Sequence, residues 1–274
     1  MRNMNVRTAR LAAFPILALV LGSIARPAGA DQSRSLNWSG AVPPGTTLAV
    51  HDVNGAIVAD TASGSEASLV AHATSKLGDL SKVRLQVKQS ANGILICAAT
   101  PYEEVAEDCT IRHTVERVDS DHTIRIDFTV HVPRGIDFEG HTVNGRISAQ
   151  GLSGKVSAKT VNGSITITTS ALASAETVNG NIEARVGDAK WPGNLSFATV
   201  NGSINVAVAA GASFKVTART LHGTIDARSF GLEPNRGFVG RSLDGSVGSN
   251  AGGKSISLRT VNGSIALGSL GGTR

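Results

Sequence analysis

Apolar and polar residues alternate along much of the chain. "KVRLQVKQ" (82–89) sets Val83, Leu85 and Val87 on one face and Arg84, Gln86 and Lys88 on the other, the period of a half-buried strand. "SANG" (90–93) reads as a turn and "ILICAA" (94–99) as the returning strand of a hairpin. "HTIRIDFTVHVPRG" (122–135) alternates again, with Ile124, Ile126, Phe128, Val130 and Val132 inward. "TLAVHDVNGAIVAD" (47–60) carries shorter alternating runs. "ASLVAHATSKLG" (67–78) comes nearest to a helical pattern, and a strand is the better reading. Residues 31–45 are polar, contain "PPG", and read as a loop or leading edge.

From residue 136 the alternation becomes a repeat. "TVNGSI" occurs at 160–165, 199–204 and 260–265, with variants "TVNGRI" (142–147), "TVNGNI" (177–182), "TLHGTI" (220–225) and "SLDGSV" (242–247). A catalytic motif serves one substrate and normally occurs once, so this much repetition points to architecture. The glycines Gly145, Gly154, Gly163, Gly180, Gly202, Gly223, Gly245 and Gly263 are spaced by 9, 9, 17, 22, 21, 22 and 18 residues. These gaps predict an all-β, repetitive β-solenoid of about 18–22 residues per coil, each coil burying its apolar face on its neighbours. An N-terminal β region precedes it. In "SFKVTARTLHGTIDAR", Phe214, Val216, Ala218 and Thr220 share one parity, and Leu221, Gly223, Ile225 and Ala227 the other. The flip predicts a corner or bulge in each coil.

The residue before each of these glycines is Asn144, Ser153, Asn162, Asn179, Asn201, His222, Asp244 or Asn262. Asn, Asp and His are enriched at positive φ, so the pattern predicts a backbone bend there, and stacked Asn side chains predict an amide ladder. The structural repeat positions are thus Asn144, Gly145, Asn162, Gly163, Asn179, Gly180, Asn201, Gly202, His222, Gly223, Asp244, Gly245, Asn262 and Gly263. Asn-Gly between apolar runs is also a strong hairpin signal. A hairpin about Asn201-Gly202 would set Thr199 opposite Ile204 and Phe197 opposite Val206. The nine-residue spacings speak for stacking, and sequence alone leaves both open.

The first thirty residues stand apart. Arg2, Arg7 and Arg10 precede an apolar run, "LAAFPILALVLGSIA" (11–25), and "AGA" (28–30) has the pattern of a signal peptidase site. Cleavage before Asp31 is expected, with an exported product and no membrane span in the mature chain. Loss of Arg2, Arg7, Arg10 and Arg26, with no acid, lowers the net charge from +5 to +1. The basic balance therefore belongs largely to the leader, and a nucleic-acid partner is not implied. Export places Cys97 and Cys109 in an oxidising compartment, where a disulfide is the default.

The secreted N-terminus, the early "VNGAI" (53–57), the "VHVPRG" entry (130–135) and the serial units together resemble the bacterial family DUF4097, the "putative adhesin" domains. The resemblance covers most of residues 45–270. It implies a β-solenoid outside the cytoplasm and no particular activity.

Little in the chain suggests chemistry. "NWS" (37–39), "NLS" (194–196) and the three "NGS" triplets match the N-glycosylation pattern, and the repeat alone accounts for the triplets. No GxSxG, P-loop or dinucleotide fingerprint follows a strand, and no His or Cys has ligand spacing. Glu103, Glu104, Glu107 and Asp108 form an acidic loop that reads as a solvated tip beside the disulfide. The expectation is three segments: a signal peptide (1–30), an N-terminal β region with the Cys97–Cys109 loop (31–135) and the repeats (136–274). The expected protein is non-enzymatic, without catalytic residues, metal or cofactor. It would sit in the periplasm, on the cell surface or outside the cell, and bind an unknown envelope or surface ligand, adhesin-like or as scaffold. The alternatives are a polysaccharide-active β-helical enzyme and a subunit that adds strands to an envelope complex.

Overall fold

A computed structural model describes residues 32–271 except 102, 107, 108, 110, 114–121, 189, 190, 192, 238 and 250–252. The expected leader lies outside the described residues. Strands follow one another as β1 (Gln32–Ala41), β2 (Thr47–His51), β3 (Ile57–Thr61), β4 (Glu66–Ser75), β5 (Arg84–Ser90), β6 (Gly93–Ala99), β7 (Glu103–Val105), β8 (Ile111–His113) and β9 (Arg125–Val132). The repeats supply β10 (Asp137–His141), β11 (Ile147–Leu152), β12 (Val156–Lys159), β13 (Ile165–Thr169), β14 (Ala173–Glu176), β15 (Ile182–Val186), β16 (Asn194–Ala198) and β17 (Ile204–Ala209). The chain ends with β18 (Phe214–His222), β19 (Ile225–Asp226), β20 (Asn235–Arg236), β21 (Arg241–Val247), β22 (Ser255–Asn262) and β23 (Ile265–Leu270). Two single 3-10 turns, Leu80–Lys82 and Arg228–Phe230, interrupt them. The strand at 66–75, the hairpin of β5 and β6, and the inward row Ile124 to Val132 follow the alternation. Residues 32–41, read as a loop or leading edge, form an edge strand against β4.

The fold is all-β, with two large, mostly parallel sheets. The first runs β1-β4-β9-β3-β11-β13-β15-β17-β23-β19 and the second β20-β21-β18-β22-β16-β14-β12-β10-β2-β6-β5. β7 and β8 form a separate pair. Each repeat except "SLDGSV" sends one strand to each sheet, and strands from both sides of residue 135 take part in both. Antiparallel strands sit only at the ends: β1 and β4 at one end of the first sheet, β5 at one end of the second, β20 and β21 at the other.

The inward positions explain the register. Ile57, Ile147, Ile165, Ile182, Ile204, Ile265 and Ile225 are ladder neighbours in that order and are all buried. A side chain of this size contributes about 1.5–3 kcal/mol when fully buried. A one-residue slip would turn the row out to solvent.

The row also corrects the expected order of the repeats. Chain order would set Ile225 beside Ile204. Instead β22 lies between β16 and β18, and β23 between β17 and β19. The last repeat enters between two earlier ones. The hairpin alternative falls with the same observation. Thr199 N–H donates to Arg259 O at 2.9 Å and Ile204 N–H to Ser264 O at 2.9 Å, both in the neighbouring repeat.

Candidate functional surface

Each letter of "TVNGSI" has a separate physical task at the corner between the sheets. The Thr is buried, and its hydroxyl donates to the carbonyl of the neighbouring repeat's Gly: Thr160 to Gly145 at 3.0 Å, Thr177 to Gly163 at 2.9 Å, Thr199 to Gly180 at 2.9 Å, Thr260 to Gly202 at 2.9 Å. This satisfies acceptors that would otherwise be buried without a partner. The Asn side chains form an unbroken amide chain. Nδ2 of Asn144, Asn162, Asn179 and Asn201 each donates at 2.8 Å to Oδ1 of Asn54, Asn144, Asn162 and Asn179 in turn, and Asn262 donates to Asn201 at 2.7 Å. His222 pairs with Asn262 in the backbone ladder and closes the row.

Positive φ does not explain the Asn-Gly step. Among the described residues only Cys109 is a non-glycine residue with positive φ. The glycine is required by proximity. A Cβ on Gly202 would lie 2.0 Å from Gly180 O, and one on Gly163 would lie 1.9 Å from Gly145 O. The Ser reaches the next repeat's backbone: Asn181 N–H donates to Ser164 Oγ at 3.2 Å and Ser264 N–H to Ser203 Oγ at 3.3 Å.

The second letter faces outward. Val161, Val178, Val200, Val261 and Leu221 are exposed by 37, 39, 39, 36 and 46%. Leu221 and Ile225, expected to share a face, differ: Leu221 faces solvent and Ile225 is buried. The corner takes four residues, 221–224, to turn, which restores an odd number of steps between the inward Thr220 and Ile225.

Asp244 and Gly245 do not belong to this array. They lie inside β21, opposite Thr217 and Val216 of the antiparallel β18. Cys97 and Cys109 are joined by a disulfide, with Cα atoms 6.0 Å apart. Of the acidic loop, Glu107 and Asp108 lie outside the described residues, and Glu103 and Glu104 are placed only as backbone of β7.

The outer face of the second sheet carries a row of hydroxyls. Ser157, Ser174, Ser196, Ser257 and Thr217 are successive ladder neighbours. Nothing in the core demands hydroxyls at these outward positions.

The ladders also assemble polar groups that lie far apart in sequence. On the outer face of the first sheet, Ser39, Ser68, His131 and Asp60 are neighbours across β1, β4, β9 and β3, and His131 Nδ1 hydrogen-bonds Asp60 Oδ1. They border a depression of about 700 Å3. Further along, Ser35 Oγ lies 3.2 Å from His72 Nδ1, and His72 is the ladder partner of Asp127. Burial alone would raise the pKa of Asp127. The hydrogen bonds from Arg125 Nη2 and Ala56 N–H, both 2.7 Å, outweigh it and hold the carboxyl below its ordinary value. Serine, histidine and aspartate are the elements of an acyl-transfer site, which also needs a nucleophile bonded to the base. Among the described residues no hydrogen bond joins Ser68 to His131, and the His131 side chain is 44% exposed, so the group is a hydrogen-bonded His–Asp pair on the surface with hydroxyl neighbours.

On the second sheet, the His51 ring hydrogen-bonds Glu139 at 3.4 Å and holds that carboxyl below its ordinary value. His141 lies edge-on to His51, ring centroids 5.3 Å apart. Loss of hydration, then the charge of His51, lowers the pKa of His141. Among the described residues no group of three or more His, Cys, Asp or Glu side chains is disposed to hold a metal ion.

A trough of about 880 Å3 lies on the first sheet, with Ala207, Ala266 and Gly268 on its floor. Glu183 with Arg185 forms one wall and Asp226 with Arg228 the other, paired at 3.1 and 2.8 Å. Glu183 and Asp226 stand on β15 and β19, three ladder steps or roughly 14 Å apart along the sheet, and each is paired with the arginine two residues on.

No family model matches the chain, and no curated protein matches it. Solved structures do. A "putative cell adhesion protein" from Clostridium sporogenes aligns over 86% of this chain and 100% of its own at 10% identity, with a TM-score of 0.45. A "putative adhesin" from Bacteroides fragilis aligns over 86% and 97% at 12% identity, with a TM-score of 0.34. Likeness at this level assigns neither family nor function. No helix among the described residues is long and apolar enough to cross a membrane, which leaves β-barrels unaddressed.

Residue spacing marks the Asn row and gives no sign of the histidine clusters. Their partners lie far apart in sequence, 71 residues for Asp60 with His131 and 88 for His51 with Glu139, and only strand register unites them.

Proposed function

We propose that this chain is an exported, non-enzymatic β-solenoid that binds a repetitive polymer of the cell envelope, or is built into one. The solenoid reading is supported by the parallel register, with one strand per repeat in each sheet, and by the side-chain ladders at the corner. The observation that carries the binding reading is the residue type of one outward row. The register that stacks the core aligns this row as well, and from Ser157 to Thr217 it is filled with hydroxyls that the core does not require. Equivalent groups about 4.8 Å apart suit a ligand that is itself periodic. A near-neutral mature chain favours uncharged glycan over a polyphosphate.

Export rests on the N-terminal pattern and is compatible with the Cys97–Cys109 bond. The polysaccharide-active alternative is disfavoured because Glu183 and Asp226 are each paired with an arginine of their own wall.

The test is co-sedimentation with purified envelope polysaccharides and peptidoglycan, beside a glycan panel. Binding to one of them should weaken at least tenfold in Ser174→Lys/Ser196→Lys with unchanged thermal unfolding. Retention by no fraction would overturn the binding reading, and release of reducing ends from any polymer would overturn the non-enzymatic one.

A further inference from the structure

The sheet edges differ in how they are guarded. β5 ends the second sheet with Arg84 and Lys88 on an exposed strand, the usual defence against unwanted pairing. β1 ends the first sheet with ten residues, "QSRSLNWSGA", and no Lys, Asp, Glu or Pro. Its one charge is turned away: Arg34 Nη1 donates to the carbonyls of Leu80, Ser81 and Val83 at 2.6, 2.7 and 3.0 Å. Among the described residues no strand pairs with the outer side of β1.

We propose that β1 is a homodimer edge, pairing antiparallel with β1 of a second copy about a two-fold axis at Asn37. The strand is self-complementary in that register. Leu36 falls opposite Trp38 of the copy on the core-facing side, where both already pack partly buried against the core. Aliphatic–aromatic cross-strand pairs of this kind are among the favourable ones. Ser35 falls opposite Ser39 on the outer side, and Asn37 meets its own copy as an amide pair. Arg34 falls opposite Gly40, so no like charges meet across the axis. The contact is isologous, so it closes at two copies and joins two ten-stranded sheets into one.

A second copy fits better than an unrelated extended peptide because both faces and the charge match under one symmetry operation. Two ten-residue strands bury an area at the low end of specific interfaces, below about 1,200 Å2 in total, the class of weak and transient contacts, so a concentration-dependent association is expected. This assembly is independent of the proposed polymer ligand, whose hydroxyl row lies on the other sheet.

Sedimentation equilibrium and native mass spectrometry of the protein expressed from its full sequence test it between about 1 and 200 µM, a range suited to weak contacts. A concentration-dependent dimer is expected. Ser35→Lys/Ser39→Lys places like charges opposite one another and should raise the dissociation constant at least tenfold with an unchanged melting curve. Asn37→Cys should be captured as a covalent dimer by a short thiol-bridging reagent, and Lys88→Cys on the guarded edge should not. A monomer throughout that range, or a dimer that is indifferent to the lysines and not captured in the Asn37→Cys variant, overturns the proposal.

Discussion

"TVNGSI" at 199–204 and "SLDGSV" at 242–247 share a pattern and lead opposite structural lives. The first turns a corner: Thr199 is buried, Asn201 joins the amide chain and Gly202 lies against Gly180. The second runs straight through β21, antiparallel to β18, with Asp244 outward and paired with Arg219 at 3.4 Å. A parallel neighbour of the same pattern lets a T-V-N-G corner satisfy itself. Where the chain reverses to close the end of a sheet, the letters keep only their ordinary strand preferences.

The glycines separate the two sites most sharply. Gly202→Ala puts a Cβ 2.0 Å from a backbone oxygen that cannot move without its whole repeat. The expected cost is about 3 kcal/mol or more. Gly245→Ala meets Leu232 Cδ2 at 3.0 Å, a side-chain end that can swing away, and should cost about 1 kcal/mol or less. Equal shifts in denaturant midpoint for the two variants would dissolve the distinction.

Next comes the inward row. Ile204→Ala should cost about 2–5 kcal/mol, because its pocket is closed by Ile182 and Ile265. Val247→Ala, in the sixth position of the second motif and only half-buried, should cost less than half as much by the same denaturation measurement.

Polar letters follow. Thr199→Val leaves Gly180 O without its hydroxyl donor, and Asn201→Ala cuts the amide chain on both sides. Each should cost about 1 kcal/mol in thermal unfolding. Smallest of all, Asp244→Asn removes an exposed pair whose side chains are 54 and 56% accessible, and should shift stability by no more than about 0.5 kcal/mol.

Much of this was legible from residue types. Alternation marked the strands because one face of each sheet is buried, and the repeated Asn marked the amide ladder because amides pair best with amides. The order of the repeats was harder, since any T-x-x-G unit can stack on any other. A signal was nonetheless present. Asn262 continues the amide chain from Asn201 and His222 cannot, so the two identical hexapeptides at 199 and 260 belong side by side. The bend expected at the Asn was misjudged, because Asn before Gly suggests a positive φ and sequence does not show the backbone that stands against the Gly. Clusters such as Ser35, His72 and Asp127 were invisible, because antiparallel register alone brings them together.

The central claim is that the last repeat sits between two earlier ones in a parallel stack. Methyl NOE spectroscopy on protein labelled at isoleucine δ1 carbons tests it directly. Ladder neighbours about 4.8 Å apart give strong cross-peaks, and residues two steps apart give weak ones or none. Ile204 should show strong cross-peaks to Ile182 and Ile265 and no comparable one to Ile225. A strong Ile204–Ile225 cross-peak with none from Ile204 to Ile265 would contradict the account.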